Sequence, residues 1–462
     1  MNKNPFHGSF PLPRPLQELS AVFTSAGFSS WLVGGAVRDR LMGKKADDWD
    51  VASDARPEDT LKLFPRCIPT GLQHGTVTVL FKGHSIEVTT LRTESAYSDG
   101  RHPDRVSWTT EIEEDLSRRD FTINAMAINL KDASLVDPFG GREDIKKNLI
   151  RCVGSPAERF CEDALRLLRA VRFASRLDFT IEPETFSAIA PLASRLSMVS
   201  IERIQSEFSK MLQSDVPSRA LQILADTGLL AIFLPELDAC RGVEQKGRHA
   251  FDVFTHLILA VDACPKERLD LRLAALLHDI GKPASRALDE RGDWTFHRHE
   301  ETGRRMAKDI LSRLRYPNSI VDTVTHLVGE HMFHYEDDWS DAAVRRFIRR
   351  VGRKNIEDLF VLRRADMYAT RKERPADTAL MPFLSRIEAE DARGSAISLK
   401  DLAVNGKDLA AAGIVKGPWM GRILSELLEC VTDSPDMNNR EALLNLALRL
   451  DERRKKSQDA IL

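Results

Sequence analysis

Two aspartates separated by one residue mark the N-terminal part of the chain. Asp48 and Asp50 flank Trp49 in the stretch DWDVA, whose alternation of polar and apolar residues predicts a β-strand. Side chains two apart on a strand point to the same face, so the carboxylates would repel each other without a cation between them. Such oxygen ligands suit Mg²⁺, which also binds phosphates. The pair predicts magnesium-dependent phosphoryl chemistry; a solvated turn with a chance D-x-D is the alternative.

A third acid and a glycine pair extend this hypothesis. Glu87 lies in IEVTT, among β-branched residues that favour burial, and is a candidate third ligand or else an ordinary solvent-facing strand carboxylate. Gly34 and Gly35 would let backbone N–H groups approach a triphosphate, and Arg38 would add positive charge. These residues together predict a nucleotide-binding site near the two aspartates.

A second set of ligand-type side chains occurs much later in the chain. The segments VFTHLILAVD, LAALLHDIGKP and RRADMY have helical patterns and carry His256, His278, Asp279 and Asp366. Neutral imidazoles suit a transition metal, and carboxylates can bridge two ions. We expect His326 and His334 to be structural or surface residues.

The elements that must position these residues fall into two classes. Before about residue 150, short strands alternate with helices, including a hairpin over 74–92 turned at Lys82 and Gly83. Residues 93–110 are polar, contain Gly and Pro, and are expected to form a mobile loop. From about residue 155 onward the apolar positions repeat at helical spacing. The fold class is therefore α+β at the N-terminus and all-α beyond it.

Composition limits the kinds of protein this chain can be. Its 462 residues suggest three or four domains, and its scattered six cysteines suggest reduced thiols. No apolar run approaches the ~18 residues of a membrane span, and the N-terminus does not resemble a signal peptide, so we expect a cytoplasmic protein. Because the net charge is −2, any surface that binds nucleic acid must be a local basic patch. Residues 344–375, with eleven Lys and Arg against four Asp and Glu, could bind RNA phosphates or form a solvated, acid-paired face.

Several motifs in sequence order resemble one family. They are LVGGAVRD (32–39), DWD (48–50), RRDFTINA (118–125), EDALRLLR (162–169), SIER (200–203), LAVNG (402–406) and the pair Gly417-Pro418. Together they resemble the class II tRNA nucleotidyltransferases, which are the CCA-adding enzymes and bacterial poly(A) polymerases of the polymerase-β-like superfamily. The resemblance covers nearly the whole chain. It implies a nucleotidyltransferase head (1–150) with a mixed sheet, a helical neck (151–245), an HD domain (246–370) and a helical tRNA-binding tail (371–462).

The resemblance also assigns roles to individual residues. It implies catalysis by Asp48, Asp50 and Glu87, and contacts to the sugar and triphosphate by Arg119, Asp120 and Asn124, although N-capping alone could explain Asp120. Asp163 and Arg166 are three apart on a predicted helix and so would share a face. Their acceptor and donors could imitate a base edge, although a surface salt bridge is the alternative. The resemblance implies that they select CTP or ATP without a nucleic-acid template, with Arg169 nearby.

The segment LLHDIGKP resembles the HD phosphohydrolases. This implies a metal site formed by His256, His278, Asp279 and Asp366, with an ion such as Ni²⁺ or Mn²⁺, and His299 and His331 could hold a second metal. The resemblance implies that this domain, as in some CCA-adding enzymes, has 2′,3′-cyclic phosphodiesterase or phosphatase activity, which would trim damaged tRNA 3′ ends. A degenerate HD fold kept as a scaffold is the alternative.

Members of this family differ in the nucleotides that they add to RNA. Thr70-Gly71 and HGTVTV (74–79) are similar to the CCA-adding members, and the intact segment 93–110 resembles the flexible element needed for the final adenosine. The resemblance therefore implies addition of CCA to tRNA from CTP and ATP with Mg²⁺. Poly(A) polymerase and A-only addition remain alternatives, as does a nucleotide-responsive RNA-binding protein without catalysis. The sequence does not predict the oligomeric state.

Overall fold

A computed structural model describes residues 11–46, 48–72, 75–95, 105–245, 250–373, 376, 378, 380–394, 396 and 398–459. The chain divides into two compact units. The first comprises Met1–Ala239 with Ile310–Tyr316, and the second comprises Cys240–Asp309 with Pro317–Leu462. The finer division into head, neck, HD domain and tail stays a prediction.

The first unit contains a seven-stranded mixed sheet with the order β3-β4-β5-β2-β1-β8-β9. A second sheet pairs β6 with β7, and β10 pairs with β11. The strands are β1 Ser30–Val33, β2 Asp50–Ser53, β3 Cys67–Gly71, β4 Thr76–Phe81, β5 His84–Thr90, β6 Arg92–Ser95, β7 Arg105–Trp108, β8 Ala127–Asn129, β9 Leu135–Val136, β10 Leu149–Ile150 and β11 Thr180–Ile181.

The centre of the large sheet is the region that positions the acidic residues. Strand β1, SWLV, is buried at every position between β2 and β8, as its continuous apolar pattern requires. Strand β2 runs antiparallel to β1 but parallel to β5. The predicted hairpin is confirmed as β4 and β5, and its turn residues Lys82 and Gly83 have φ values of 51° and 82°, the left-handed pair of a tight hairpin turn.

Helices make up most of the rest of the first unit. They are α1 Arg14–Ser25, α2 Gly35–Leu41, α3 Pro57–Leu63, α4 Ile112–Ser117, α5 Gly141–Lys146, α6 Pro156–Glu162, α7 Leu165–Leu177, α8 Pro183–Ser187, α9 Ile189–Leu192, α10 Ile201–Leu212, α11 Pro217–Asp226, α12 Leu229–Phe233 and α13 Pro235–Asp238. Helix α7 packs against α10 and α11 and is buried on nearly every side, which makes it the central helix after the sheet.

The described residues of the second unit are helical apart from one small hairpin and the connecting segments. It contains α14 Val253–Asp262, α15 Leu269–Leu277, the hairpin of β12 Ala287–Leu288 and β13 Trp294–Thr295, most of α16 His299–Arg313, α17 Asn318–Glu330, α18 Asp341–Val351, α19 Ile356–Arg371, α20 Met381–Ala392, α21 Gly406–Ala411, α22 Pro418–Asp433 and α23 Arg440–Asp459. Helices α14, α15, α17 and α19 pack together around the histidines. No helix among the described residues has the length and apolar character needed to cross a membrane.

Two local expectations, for Asp48 and for residues 93–110, are wrong, and for Glu87 the structure favours the solvent-facing alternative. Asp48 lies in a bend before β2 rather than on the strand, because Trp49 turns inward and donates its indole N–H to the carbonyl of Ala46. Glu87 is exposed, because its neighbours Ile86 and Val88 occupy the buried face of β5. Residues 93–110 are not wholly a loop, since both ends pair as β6 and β7; residues 96–104 and His74 lie outside the described residues.

The predicted helix over 162–169 is also wrong. Helix α6 ends at Glu162, Asp163 has extended backbone angles, and α7 starts at Leu165. The Asp163 carboxylate accepts a hydrogen bond of 3.0 Å from the backbone N–H of Leu165. Such a local side-chain bond competes with continuous helix, which explains the break.

Candidate functional sites

The acidic residues of the head meet at the start of β2. Asp50 is the first residue of β2 and is paired in register with Glu87 of β5, so both side chains lie on one face of the sheet. Asp48 and Glu87 are exposed and Asp50 is half-buried. The structure therefore brings the three predicted carboxylates together, although their exposure differs from what the pattern suggested.

The electrostatics of this cluster fit a divalent cation. Burial, reinforced by the negative charges of Asp48 and Glu87, raises the pKa of Asp50 to about 6, and Arg119 only partly opposes this. Carboxylates that disfavour each other's ionisation are stabilised when a cation lies among them. Asp48 and Asp50 are the residues that would hold Mg²⁺, with Glu87 beside them.

Gly34 allows the backbone to pass close to this cluster. Gly34 directly precedes α2 and has a φ of +69°, a backbone conformation that residues with a Cβ rarely adopt. A Cβ at Gly34 would lie 3.2 Å from Nη1 of Arg119 and 3.6 Å from Oδ2 of Asp50. A larger residue would fill the space between the cluster and Arg119. At Gly35 a Cβ would meet only Nη2 of Arg38, at 3.5 Å.

Four other predicted residues form one hydrogen-bonded chain. Arg38 Nη1 donates to Asn124 Oδ1 at 2.8 Å, and Asn124 Nδ2 donates to Asp120 Oδ1 at 3.2 Å. Arg169 Nε donates to the other oxygen of Asp120 at 2.7 Å. The guanidiniums of Arg38 and Arg169 each lie 5.3 Å from the ring centre of Phe173, a residue that the motif reading missed.

Asp120 is the centre of this chain. Its burial opposes ionisation, but Arg169 and Asn124 outweigh that effect and lower the pKa of Asp120 to about 2. A permanently charged carboxylate here fixes the side chains on both sides of it. Asp120 does not act as a helix N-cap, although it accepts the backbone N–H of Phe121 at 2.8 Å.

Asp163 and Arg166 lie close in sequence but have separate partners. Asp163 Oδ2 accepts from Arg203 Nη2 at 2.7 Å. Arg166 Nη1 donates to Glu162 Oε2 at 2.6 Å, and its Nη2 donates to the carbonyl of Arg118 at 2.9 Å. The two side chains do not share a helix face, because the helix breaks between them. Arg203 had no predicted role, and its only signal was its place in the SIER motif.

The second site is built from six buried or nearly buried side chains. Two groups of three each offer ligand atoms within 4.8 Å of one another: His256, His278 and Asp366, and Asp279, His299 and His331. Asp279 lies between the groups. Its Oδ2 is 3.4 Å from His278 Nε2, and its Oδ1 is 3.1 Å from His299 Nε2 and 3.5 Å from His331 Nε2. The carboxylate can therefore bridge two ions.

Backbone carbonyls orient three of these histidines. The Nδ1 atoms of His278, His299 and His331 lie 2.8, 2.8 and 2.7 Å from the carbonyls of the residues three positions earlier. Such bonds place the proton on Nδ1 and direct the Nε2 lone pair inward, as in metal-binding histidines. The Nε2 atoms of His299 and His331 are buried and face Oδ1 of Asp279, but among the described residues they make no hydrogen bond of regular geometry. This unmet capacity fits a metal ion.

The charges of the second site also favour a cation. Burial opposes ionisation of Asp279, but Lys282 and the histidines outweigh it and hold the pKa of Asp279 well below its usual range. Burial also disfavours charged His278, yet Asp279 and Asp366 raise its pKa to about 10. Lys282 Nζ is 2.5 Å from Asp279 Oδ2 and donates to Gln245 at 2.5 Å. Metal binding must therefore displace a proton from His278.

The remaining predicted histidines behave as expected. His326 Nε2 lies 2.6 Å from the carbonyl of Val351, which makes it structural. His334 is exposed, with its Nε2 3.2 Å from Glu336. Neither belongs to the two ligand groups.

The basic stretch is largely neutralised by acids. Its arginines pair with carboxylates of the same unit: Arg345 with Glu390, Arg346 with Asp433, Arg349 with Glu429, Arg350 with Glu330, and Arg353 with Asp391. The Arg345 pair is buried and joins α18 to α20. Between the two alternatives left by the sequence, these contacts favour the acid-paired helix face over an RNA surface.

Comparison with known proteins gives a consistent result. Residues 30–151 match the family described as Poly A polymerase head domain, residues 178–241 the probable RNA and SrmB-binding site of polymerase A, and residues 247–371 the HD domain. A CCA-adding enzyme of Pediococcus pentosaceus is 33% identical over 445 residues, covering 96% of this chain and 100% of the relative. That of Geobacillus stearothermophilus is 34% identical over 449 residues, covering 96% and 99%.

A solved structure agrees with these relatives. The Bacillus stearothermophilus CCA-adding enzyme in complex with CTP matches with a TM-score of 0.71 and 30% identity. The match covers 96% of this chain and 100% of that one. Similarity of this extent includes the sheet, the helices after it and the second unit.

Proposed function

This chain belongs to the family of CCA-adding enzymes, and from that premise we propose how its residues perform the reaction. The protein is a nucleotidyltransferase that adds C, C and A to the 3′ end of tRNA from CTP and ATP. The rival of a non-catalytic RNA-binding protein is thereby excluded, and the relatives favour CCA addition over poly(A) synthesis. The reaction site is the cluster of Asp48, Asp50 and Glu87. The observation that supports it is the register pairing of Asp50 with Glu87.

The carboxylates hold the divalent ion that the chemistry needs. When bound, Mg²⁺ would lower the pKa of the tRNA 3′-hydroxyl and neutralise charge on the departing pyrophosphate. Asp48 and Asp50 would be its protein ligands. Glu87 is exposed on the same face of the sheet, where its carboxylate adds negative charge beside Asp50.

The residues around the cluster bind the triphosphate. Gly34 keeps the backbone open beside Asp50, and Arg119 lies next to it. The chain from Arg38 through Asn124 to Asp120 is rigid, because each hydrogen bond is buried or nearly so. Side chains fixed in this way lose little entropy when nucleotide binds.

Asp163 and Arg166 select the base. Cytosine and adenine both present an amine donor beside a ring-nitrogen acceptor, and a carboxylate with a guanidinium can bind both. Arg203 and Glu162 supply the partners that orient Asp163 and Arg166. Selection therefore requires no nucleic-acid template.

Product sequencing tests this proposal. A tRNA lacking its three terminal residues, incubated with all four NTPs, should end in CCA. An Asp163→Ala variant should lose discrimination among the NTPs more than it loses rate. Addition of A alone by the wild type would show an A-adding enzyme, and unchanged selectivity of the variant would refute the role of Asp163.

A second activity is favoured by the six-ligand site. We propose that it hydrolyses phosphate esters at RNA 3′ ends with transition-metal ions such as Ni²⁺ or Mn²⁺, because Asp279 faces both ligand groups. In such a reaction water adds to phosphorus, a P–O bond to ribose breaks, and a proton passes to the released ribose oxygen. The cytoplasm, where tRNA is processed, is the proposed compartment.

Hydrolysis of 2′,3′-cAMP by the full-length protein tests the second activity. We expect turnover that depends on added Ni²⁺ or Mn²⁺ and is lost in His278→Ala. His334→Ala is the matched control, because His334 is an exposed histidine outside the ligand groups. Metal-dependent turnover that persists in His278→Ala would contradict the assignment.

A further inference from the structure

The small hairpin of the second unit lies next to the six-ligand site. In sequence it separates the pair His278-Asp279 from His299. Its register pairs Ala287 with Thr295 and Leu288 with Trp294. Arg286 directly precedes β12 and Phe296 directly follows β13, so both residues lie at the open end of the hairpin.

Phe296, the residue that follows β13, contacts the ligand group through its backbone. The carbonyl of Phe296 accepts the hydrogen bond from Nδ1 of His299 at 2.8 Å. The ammonium of Lys282 lies 5.8 Å from the ring centre of Phe296 and 2.5 Å from Oδ2 of Asp279. Lys282 therefore lies between the ring of Phe296 and Asp279 of the site that would hold the metals.

Arg286 differs from the arginines of α18. Its guanidinium carbon is 3.7 Å from the ring centre of Trp294, the geometry of a cation stacked on an indole. Its Nε is buried without a hydrogen-bond partner, and within the described part of the chain no carboxylate pairs with it. Five arginines of the basic stretch all have acidic partners, whereas Arg286 keeps its charge and donors for another anion.

These observations support a site for a nucleotide. A phosphate alone would need only the metals and Arg286, and nothing in its chemistry requires an indole and a phenyl ring beside them. A nucleobase has a flat face that stacks on such rings, and stacking of this kind tolerates any base. The guanidinium of Arg286, which pairs with no carboxylate among the described residues, suits a phosphate oxygen.

We propose that Arg286, Trp294 and Phe296 form a clamp that binds the terminal nucleotide of an RNA 3′ end at the six-ligand site. The rings hold the base and Arg286 holds the phosphate. The clamp makes the site selective for nucleotides over base-free phosphate esters. This inference rests on the proposed hydrolase activity and names its substrate class.

Steady-state kinetics on the full-length protein tests the clamp. The two substrates are 2′,3′-cAMP and ethylene phosphate, a cyclic phosphodiester without a base. Trp294→Ala should raise the KM for 2′,3′-cAMP about tenfold, with kcat little changed, because one stacked base contributes about this much. Its kinetics on ethylene phosphate should stay at the wild-type level. Trp294→Phe should restore most of the affinity.

A substitution of Arg286 tests its proposed contact with the phosphate. Arg286→Met should raise KM for both substrates, because both carry the phosphate. Arg291→Met, at the exposed tip of the same hairpin, is the matched control and should behave as the wild type. Metal content by mass spectrometry and the thermal melting curve should be equal in all variants, which separates loss of substrate contact from loss of the site.

Calorimetric binding of adenosine 2′-monophosphate keeps the test independent of turnover. Trp294→Ala should bind it about tenfold more weakly than the wild type. If the wild type hydrolyses neither substrate, the proposed hydrolase fails, and this weakened binding would still support the clamp. If His278→Ala abolishes hydrolysis while Trp294→Ala and Arg286→Met keep wild-type KM and affinity, the hydrolase stands and the clamp is refuted.

Discussion

The two candidate metal sites of this protein hold their ligands in opposite ways. In the head, Asp48 and Glu87 are exposed, and the partial burial of Asp50, reinforced by the charges of Asp48 and Glu87, raises the pKa of Asp50 to about 6. In the second unit, His256, His278 and Asp279 are 0%, 1% and 2% exposed, and backbone carbonyls orient the rings. One site is open and electrostatically unfavourable by itself, whereas the other is closed and already organised.

This difference matches the two kinds of chemistry. An open acid cluster suits an ion that arrives with each nucleotide and leaves with pyrophosphate, because Asp48 and Glu87 are exposed and water can solvate their charges when the ion departs. Buried ligands suit an ion that stays, because removing it would leave desolvated groups without partners. We infer that the head assembles its metal site at each turnover and that the second site keeps its metal.

The largest expected effect separates the two sites completely. Asp50→Ala should reduce nucleotide addition to tRNA by at least about 10³-fold, because it removes a metal ligand from the transition state, and should leave hydrolysis of 2′,3′-cAMP within about twofold. His278→Ala should do the reverse. Parallel assays of addition and hydrolysis check both. Loss of both reactions in either variant would mean that the sites are not independent.

The two candidate metal sites should also differ in how firmly they retain their ions. After dialysis against EDTA, the protein should still carry about two transition-metal ions per chain, while nucleotide addition should return as soon as Mg²⁺ is supplied. His331→Ala should retain about one ion, because its loss leaves only one complete group of three ligands. Mass spectrometry of the metal content measures this. Equal metal content in His331→Ala and wild type would rule out a second ion held by His331.

A smaller effect is expected from a change beside Asp163, one of the residues proposed to select the nucleobase. Arg203→Met should lower discrimination between CTP and UTP by about tenfold, because Asp163 loses the 2.7 Å hydrogen bond that orients it. Incorporation ratios from competing NTPs measure the change. Arg195→Met is a control, since among the described residues Arg195 donates to a backbone carbonyl, that of Cys161, and to no carboxylate. Wild-type ratios in Arg203→Met would show that Asp163 needs no such partner.

The smallest effect concerns stability and pH. The pKa of Asp50 is raised from 3.8 to about 6 in the fold, so its contribution to stability is fully present below pH 3.8 and is lost as pH rises through 6. Asp50→Asn removes the charge, so in EDTA it should raise Tm by about 2–4 °C at pH 8 and by less at pH 5. Thermal melts at the two pH values check this. An equal shift at both would indicate a cause other than ionisation.

Much of the fold followed from local patterns. The buried strand SWLV, the hairpin with its Lys82-Gly83 turn and the helices of the second unit all have periodicities or turn residues that specify their structure over a few positions. The break at Asp163 was missed, because a polar residue inside a helical pattern can either continue the helix or bond to the backbone. The bend at Asp48 depends on the inward turn of Trp49, which alternation does not encode.

The sequence by itself determined the chemistry of this protein. Residue types and spacing specify two acids near a glycine pair, a His-Asp pair within helices, and the order of motifs that places the chain in its family. Only the tertiary structure decided which groups meet: Glu87 across parallel strands from Asp50, Asp279 between two ligand groups, and Arg286 stacked on Trp294. The physical reason is that ionisable side chains take their roles from burial and from neighbours distant in the chain, which no local periodicity records.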